Sequence, residues 1–274
     1  VSNLLSRVLV AIVAIPAILY ICFAGGWLFF GFVLLLTIIG LLEFYKLAEA
    51  KELHPQKFLG IALGISVISF FAKEMFNDVY NYVSISIFTF SFIILIVELF
   101  RNKENALQNL STTIFGVVYV AGSFGMLLGL REIDFSSQQE NSGYVIIAIL
   151  ISIWMCDSLA YFGGKTFGKH KLFERVSPKK TWEGAIAGLL GVIIIVPILH
   201  SMYLRFLSHF DMLVFAVVIG VFGQIGDLFE SLLKRDANVK DSSAIIPGHG
   251  GVLDRFDNLL FSVPILYVYF KMFN

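Results

Sequence analysis

The stretch IPGHGGVLDRFD, residues 246–257, sets three glycines, a histidine, two aspartates and an arginine beside an apolar run. Gly248, Gly250 and Gly251 let the backbone bend and bring amide N–H groups close to an anion. Asp254 and Asp257 fall one helical turn apart. Upstream, in GQIGDLFESLLKRD (223–236), Asp227, Glu230, Ser231 and Lys234 share one helical face at i, i+3, i+4 and i+7. Asp227, Asp254 and Asp257 together supply three carboxylates, enough to ligate a hard cation. Mg2+ takes one or two carboxylates, with phosphates and water completing its shell. His249 either donates to a phosphate oxygen or holds the loop, and Pro247 reads as a turn former. The simpler reading of the helix is an Asp227–Lys234 or Glu230–Lys234 ion pair that ends it.

A second charged stretch is DSLAYFGGKTFGKHKLFERVSPKKTWEG, residues 157–184. Its Gly163-x4-Gly168-Lys169 spacing approaches a phosphate-binding P-loop, but His170 follows where Ser or Thr is needed, and an apolar helix precedes it instead of a strand. A P-loop is therefore rejected. What remains is a Gly-rich basic loop. Ser177-Pro178 reads as a turn and Thr181 as the N-cap of the next helix. Lys179 and Lys180 at that positive helix end would attract phosphate. Lys165 and Lys171 read more simply as juxtamembrane lysines on anionic headgroups, and Trp182 as an interfacial anchor. Asp157 sits near one end of its apolar run, at the depth class of Asp227.

These residues need a frame, and the composition says which kind. The 274 residues are 58% hydrophobic and only 15% charged. An average soluble chain is about 25% charged. A polytopic all-α membrane protein follows, and continuous apolar runs disfavour a barrel. Nine spans are read near 8–24, 26–42, 58–72, 79–97, 114–130, 144–162, 183–199, 212–229 and 259–273, the third and last of them short for a bilayer. The first could also be taken for a signal peptide, since Arg7 precedes it and CFAGG follows. Pro16, Pro197 and Pro264 fall inside spans. With nine spans, sixteen of the twenty Lys and Arg residues fall on one side of the membrane. The positive-inside rule makes that side cytoplasmic, with the amino terminus inside and the carboxyl terminus outside. Residues 1–143 then form a scaffold of five spans. Residues 144–274 form a catalytic region of four spans, with cytoplasmic loops 163–182 and 230–258. Net charge is zero, which gives no argument for nucleic acid, and Cys22 and Cys156 lie in apolar stretches with no disulfide pattern. The shared ligand of the charged loops should carry several phosphates and lie in or beside the inner leaflet.

The run SLLKRDANVKDSSAIIPGHGGVLDRFD resembles the signature of the phosphatidate cytidylyltransferases, or CDP-diacylglycerol synthases. Ser231, Lys234, Arg235, Lys240, Asp241, Pro247, Gly248, His249, Gly250, Gly251, Asp254, Arg255 and Asp257 carry the match, and SPKKTWEG is similar to a second element of that family. The resemblance is strong over roughly 150–260; the amino-terminal half matches only as hydrophobic architecture. It implies that CTP and phosphatidate give CDP-diacylglycerol and pyrophosphate in phospholipid biosynthesis, with Mg2+ required and a second metal ion allowed. It also implies a homodimer in a bacterial plasma membrane, with the active site facing the cytoplasm. On that reading Asp227, Lys234, Arg235, Asp254 and Asp257 do the chemistry, the three aspartates as metal ligands. Asp157, Ser177, Lys180, Thr181, Ser231, Lys240, Asp241, His249, Gly250, Gly251 and Arg255 bind substrate. The physical chemistry agrees. The phosphate monoester of the lipid is already ionised, so in-line attack on the nucleotide needs charge neutralisation and orientation more than a general base. A polyprenyl-alcohol kinase or archaeal-type lipid cytidylyltransferase is the near alternative. A secondary transporter using Asp157 and Asp227 as ion sites is the distant one, disfavoured because charge gathers at one face and no repeat is visible.

Overall fold

The computed structural model describes residues 3–135, 139–243, 245 and 250–273, with side chains from residue 12 onward and none over 139–141. Nine helices run through the described residues. They are α1 Asn3–Ala24, α2 Gly26–Glu49, α3 Lys57–Phe71, α4 Tyr80–Phe100, α5 Ala106–Arg131, α6 Gln139–Phe167, α7 Trp182–Met202, α8 His209–Asp236 and α9 Leu253–Phe273. Six of them, α2 and α4–α8, are long and apolar enough to cross a membrane. α3 has only 15 residues. α9 begins with Asp254, Arg255 and Asp257 in its opening turns.

The connections sort into two ends. At one end Lys51 pairs with Asp236 at 2.5 Å, and Arg101 donates to the His54 carbonyl at 2.8 Å. Buried Glu98 accepts from Gln56 and Asn109 there. At the other end Arg131 donates to the carbonyls of Cys22 and Phe23, the Glu74 amide donates to Glu132, and Phe135 packs on Phe206 and Phe270. Between them lies a dry core with Tyr45, Phe124, Phe215 and Leu41 fully buried.

Local chemistry explains the helix limits. Ser208 and Asp211 form a capping box at the start of α8. Thr181 caps α7, its hydroxyl accepting from the Gly184 amide at 3.2 Å. α5 and α8 each contain a π-helical turn, Val117–Gly122 and Val218–Gly223, a feature often found at functional sites.

Two details differ from the sequence reading. The loop 163–182 is partly regular: α6 continues through Gly163 and Gly164 to Phe167, and two antiparallel strands follow, β1 Lys171–Phe173 and β2 Ser177–Thr181. Ser177-Pro178 lies in β2, so the turn falls before it. The glycines serve helix packing: a Cβ on Gly184 would stand 2.7 Å from the Ala160 carbonyl oxygen and 3.1 Å from the Gly164 Cα. Small residues at such crossings let backbones touch. Second, α6 and α8 extend roughly ten residues past Asp157 and Asp227. At 1.5 Å per residue this puts each aspartate roughly 15 Å from its helix end.

Candidate active site

α6, α8 and α9 converge where their polar residues face one another. Asn258 on α9 donates from Nδ2 to Asp157 Oδ1 on α6 at 2.7 Å. Gly226 on α8 lies so close to α9 that a Cβ there would be 2.5 Å from the Asp257 carbonyl oxygen. Asp227 follows it, and Asp157, Asp227 and Asp257 lie within electrostatic reach of one another. Arg255 also reaches Asp157 electrostatically. One cation enters from the hairpin: Lys180 on β2 forms an ion pair with Asp227.

A cavity of about 470 Å3 opens beside this junction, lined among others by Asp157, Lys165, Lys179, Lys180, Thr181 and Asp227. The hairpin is held over it. Lys171 Nζ donates to the Pro178 carbonyl at 2.6 Å, and Glu183 in the first turn of α7 accepts from the amides of Lys169 and His170. Gln224 of α8 donates to the Ala185 carbonyl of α7 at 3.0 Å, tying the cavity wall together. Ser177 begins β2, at the far end of the strand from Thr181.

A second polar cluster holds the signature loop. Lys234 is buried between Glu230, with which it forms an ion pair, and Asp254 Oδ1 at 2.6 Å. Asp254 Oδ2 accepts from the amides of Ser242 (2.9 Å) and Gly251 (2.8 Å). Glu43, a buried carboxylate of α2, accepts from the Ser243 hydroxyl and from the amides of Val252 and Leu253 at the start of α9. The Ser242 hydroxyl lies within hydrogen-bond distance of both Asp254 and Glu43. Gly250 has φ +82°, and a Cβ on Gly251 would stand 2.1 Å from the Ser242 hydroxyl. The glycines therefore permit close approach to Asp254 and Glu43, and the Gly251 amide is committed to protein.

The structure thus brings Asp157, Asp227, Asp257, Lys180, Thr181 and Arg255 to one junction. It places Lys234, Asp254, Gly250 and Gly251 in the loop anchor. Ser231 is buried beside Glu230, while Lys240 and Asp241 are exposed. Arg235 donates to the Val239 carbonyl. Pro247, Gly248 and His249 lie outside the described residues. Of the two simple pairings weighed for the helix, Glu230–Lys234 forms, and Asp227 pairs with Lys180 instead. Among the described residues no three His, Cys, Asp or Glu side chains are gathered as a metal-binding group. The expected set Asp227, Asp254 and Asp257 is therefore not assembled, because donors from the loop take up Asp254.

Glu43, Asn258 and Gln224 are site residues that the sequence reading missed, whereas Lys179 lines the cavity beside Lys180. Glu43 had a signal, since a carboxylate within an apolar helix marks function by default. The second span was ended at residue 42, one position too early to show it.

A model of the cytidylyltransferase family matches residues 5–273. The chain belongs to the cytidylyltransferase family. Similar proteins named phosphatidate cytidylyltransferase occur in several bacteria. That of Staphylococcus haemolyticus is 34% identical over 264 residues, 96% of this chain and 97% of the relative. That of Staphylococcus saprophyticus is 32% identical over 267 residues, with the same coverage. That of Bacillus subtilis is 29% identical over 272 residues, 98% of each chain. The family match spans all nine helices, so the amino-terminal half that carries Glu43 belongs to it as fully as the signature loop.

Proposed function

We propose that this protein transfers the cytidylyl group of CTP to phosphatidate, giving CDP-diacylglycerol and pyrophosphate in phospholipid biosynthesis. Family membership and the names of the bacterial relatives support the reaction. The observation that carries the site is the placement of Lys180 against Asp227, at a polar cavity between apolar helices.

In this reading the triphosphate lies along the hairpin and the start of α7. Lys179 and Lys180 neutralise its charge, and Thr181 and Ser177 position it. Lys180 already stands at Asp227, so an incoming phosphate would compete with that carboxylate for the ammonium. The lipid phosphate arrives from the side, and its ionised oxygen attacks the α-phosphorus as pyrophosphate leaves. Lys234 and Arg235 were expected to meet phosphates as well. Buried between two carboxylates, Lys234 serves this reaction by fixing the loop beside Asp257.

The donor chemistry suits Mg2+. Asp157, Asp227 and Asp257 lie within electrostatic reach of one another, with Lys180 paired to Asp227 and Arg255 acting on Asp157, and Mg2+ needs only one or two carboxylates when phosphates and waters complete the shell. Asp227, with Asp157 or Asp257, would hold it. The ion would supply charge neutralisation to the triphosphate and the leaving pyrophosphate.

Nine crossings, with the charge-rich end cytoplasmic, belong to the same proposal. They rest on the segregation of sixteen basic residues and on the sorting of connections to two ends. So does the homodimer implied by the resemblance.

The test is purified protein given CTP labelled at the α-phosphate, with and without phosphatidate. Label should enter lipid and pyrophosphate should appear only when both substrates are present. Excess chelator should stop turnover, and Mg2+ should restore it. Pyrophosphate release indifferent to phosphatidate would overturn the lipid reading.

A further inference from the structure

A second cavity, larger than the one at the active site, lies away from it. At the opposite end of the helices, a cavity of about 700 Å3 is lined by residues including Lys73, Glu74, Tyr80, Glu132, Tyr267 and Lys271. Its floor is built: Gly129 lies where a Cβ would be 2.6 Å from the Tyr267 ring, and Phe71 meets that ring edge-on at 5.5 Å. Its charges are arranged in two kinds. Lys73 sits over the Tyr80 ring at 5.3 Å, and among the described residues neither Lys73 nor Lys271 forms an ion pair. Glu132 accepts from the Glu74 amide at 3.3 Å, with the Lys73 amide also turned toward it, while its Oε1 is buried with no hydrogen-bond partner among the described residues. A buried acceptor left empty costs free energy and so asks for a donor.

Two unpaired cations and an unsatisfied carboxylate, walled by aromatic rings, make a site for a zwitterion. The surroundings name its source. Phe70 stacks on Tyr80 at 5.3 Å and is itself exposed, and α4 beside it exposes Phe88 and Phe92. Tyrosines, apolar in the ring and polar at the hydroxyl, are typical of the headgroup level of a bilayer. We propose that this cavity binds a zwitterionic phospholipid headgroup, its phosphate on Lys73 and Lys271 and its N–H ammonium on Glu132, from the leaflet opposite the active site. An ethanolamine headgroup has that chemistry; a choline headgroup has the phosphate but no N–H donor. Burial pushes the Glu132 carboxyl up to about 7, outweighing the opposing pull of Lys271.

Native mass spectrometry of the detergent-purified protein tests this directly, with phosphatidylethanolamine, phosphatidylcholine and inorganic phosphate as probes. Phosphatidylethanolamine should be retained at least fivefold above phosphatidylcholine. Glu132→Gln should bring the two to the same level, and Lys73→Ala with Lys271→Ala should lower retention of both lipids about fivefold. None of these substitutions should change cytidylyl transfer, and Asp227→Asn should leave the lipid preference intact. That separates failure here from failure of the proposed reaction. Should Glu132→Gln fold poorly, the exposed lysine pair carries the test. Equal retention of the two lipids by wild type, retention unmoved by the lysine variant, or displacement of lipid by millimolar inorganic phosphate would each overturn the proposal.

Discussion

Asp254 and Asp257 stand three residues apart in the opening turns of one helix, yet they inhabit different chemistry. Asp254 is saturated: Lys234, two amides and a hydroxyl all donate to it. Glu43 across from it is equally well supplied. Asp257 is in electrostatic reach of Asp227 and Asp157, with Lys180 the one ion-pair partner of the three among the described residues and Arg255 acting on Asp157. A carboxylate with all its donors built in is finished as structure. A group of carboxylates short of positive charge is waiting for a cation or a cationic ligand complex. The same contrast separates the two charged loops. One is fastened by carboxylates from beneath. The other presents lysines to a cavity.

The largest effects should fall on the undersupplied group. Asp227→Asn should lower kcat/KM by at least about 10^2-fold, on the scale of removing one preorganised charge from a transition state, with no loss of melting temperature. Asp227 and Asp254, both expected from the sequence as metal ligands, sharpen the same contrast. If Asp254 acts by holding the loop, Asp254→Asn should lower melting temperature as well as rate, whereas Asp227→Asn lowers rate alone. Identical signatures from both would break the division drawn here.

Lys180→Ala comes next. A charge-assisted hydrogen bond is worth about 1.5–3 kcal/mol, so kcat/KM should fall roughly ten- to a hundredfold, mostly through the KM for CTP. Because Asp227 loses its partner in this variant, a Lys180→Arg variant serves as control and should recover part of the rate. Wild-type kinetics in Lys180→Ala would move this lysine from the cavity to the headgroup-binding set with Lys165 and Lys171.

Glu43→Gln should act on the loop. A glutamine would aim its NH2 group at one of the two amides, Val252 or Leu253, that now donate to separate carboxylate oxygens. At a cost of about 2 kcal/mol, the melting temperature in detergent should drop roughly 4–8 °C, with activity falling in parallel. A full loss of rate at an unchanged melting temperature would instead place Glu43 in the chemistry.

The sequence made much of this legible, because apolar runs and signature residues are local properties. Helix positions followed from hydropathy, and Thr181 as a cap followed from residue type. What it could not display is which carboxylate meets which donor. Glu43 reaches residues two hundred positions away, and nothing local in LLEFYK announces that partner. Asp227, Asp254 and Asp257 looked equivalent by type, and only packing divides them. The end of α6 was hidden for a related reason: Gly163 and Gly164 fit a phosphate loop as well as a tight helix crossing, and the choice depends on Gly184 and Ala187 of α7.

Glu132 extends the comparison to the far end, as a carboxylate with neither a full set of donors nor a cation in contact. Arg131, Lys73, Glu74, Tyr80, Asp134, Tyr267 and Lys271 stand around it, and burial, reinforced by Glu74, outweighs the pull of Lys271 to hold its carboxyl at about 7 against an ordinary 4.5. The sign of the linkage follows. Below pH 4.5 the group is protonated in both folded and unfolded chains and costs nothing. Between 4.5 and about 7 the unfolded chain releases the proton while the folded chain keeps it, so stability falls as pH rises. Above 7 the whole cost is present. Water reaches part of this site and screens the charge, so the effect is the smallest of the set, about 1–3 °C in melting temperature. Glu132→Gln removes the titration. Melting curves of the lipid-stripped protein in detergent at pH 5 and pH 8 should show the variant gaining on wild type at the higher pH by that amount. Added phosphatidylethanolamine should narrow the gap by giving the wild-type carboxylate its missing donor. A gap that is the same at both pH values would mean that Glu132 already has a partner in solution, and would remove it from the undersupplied class.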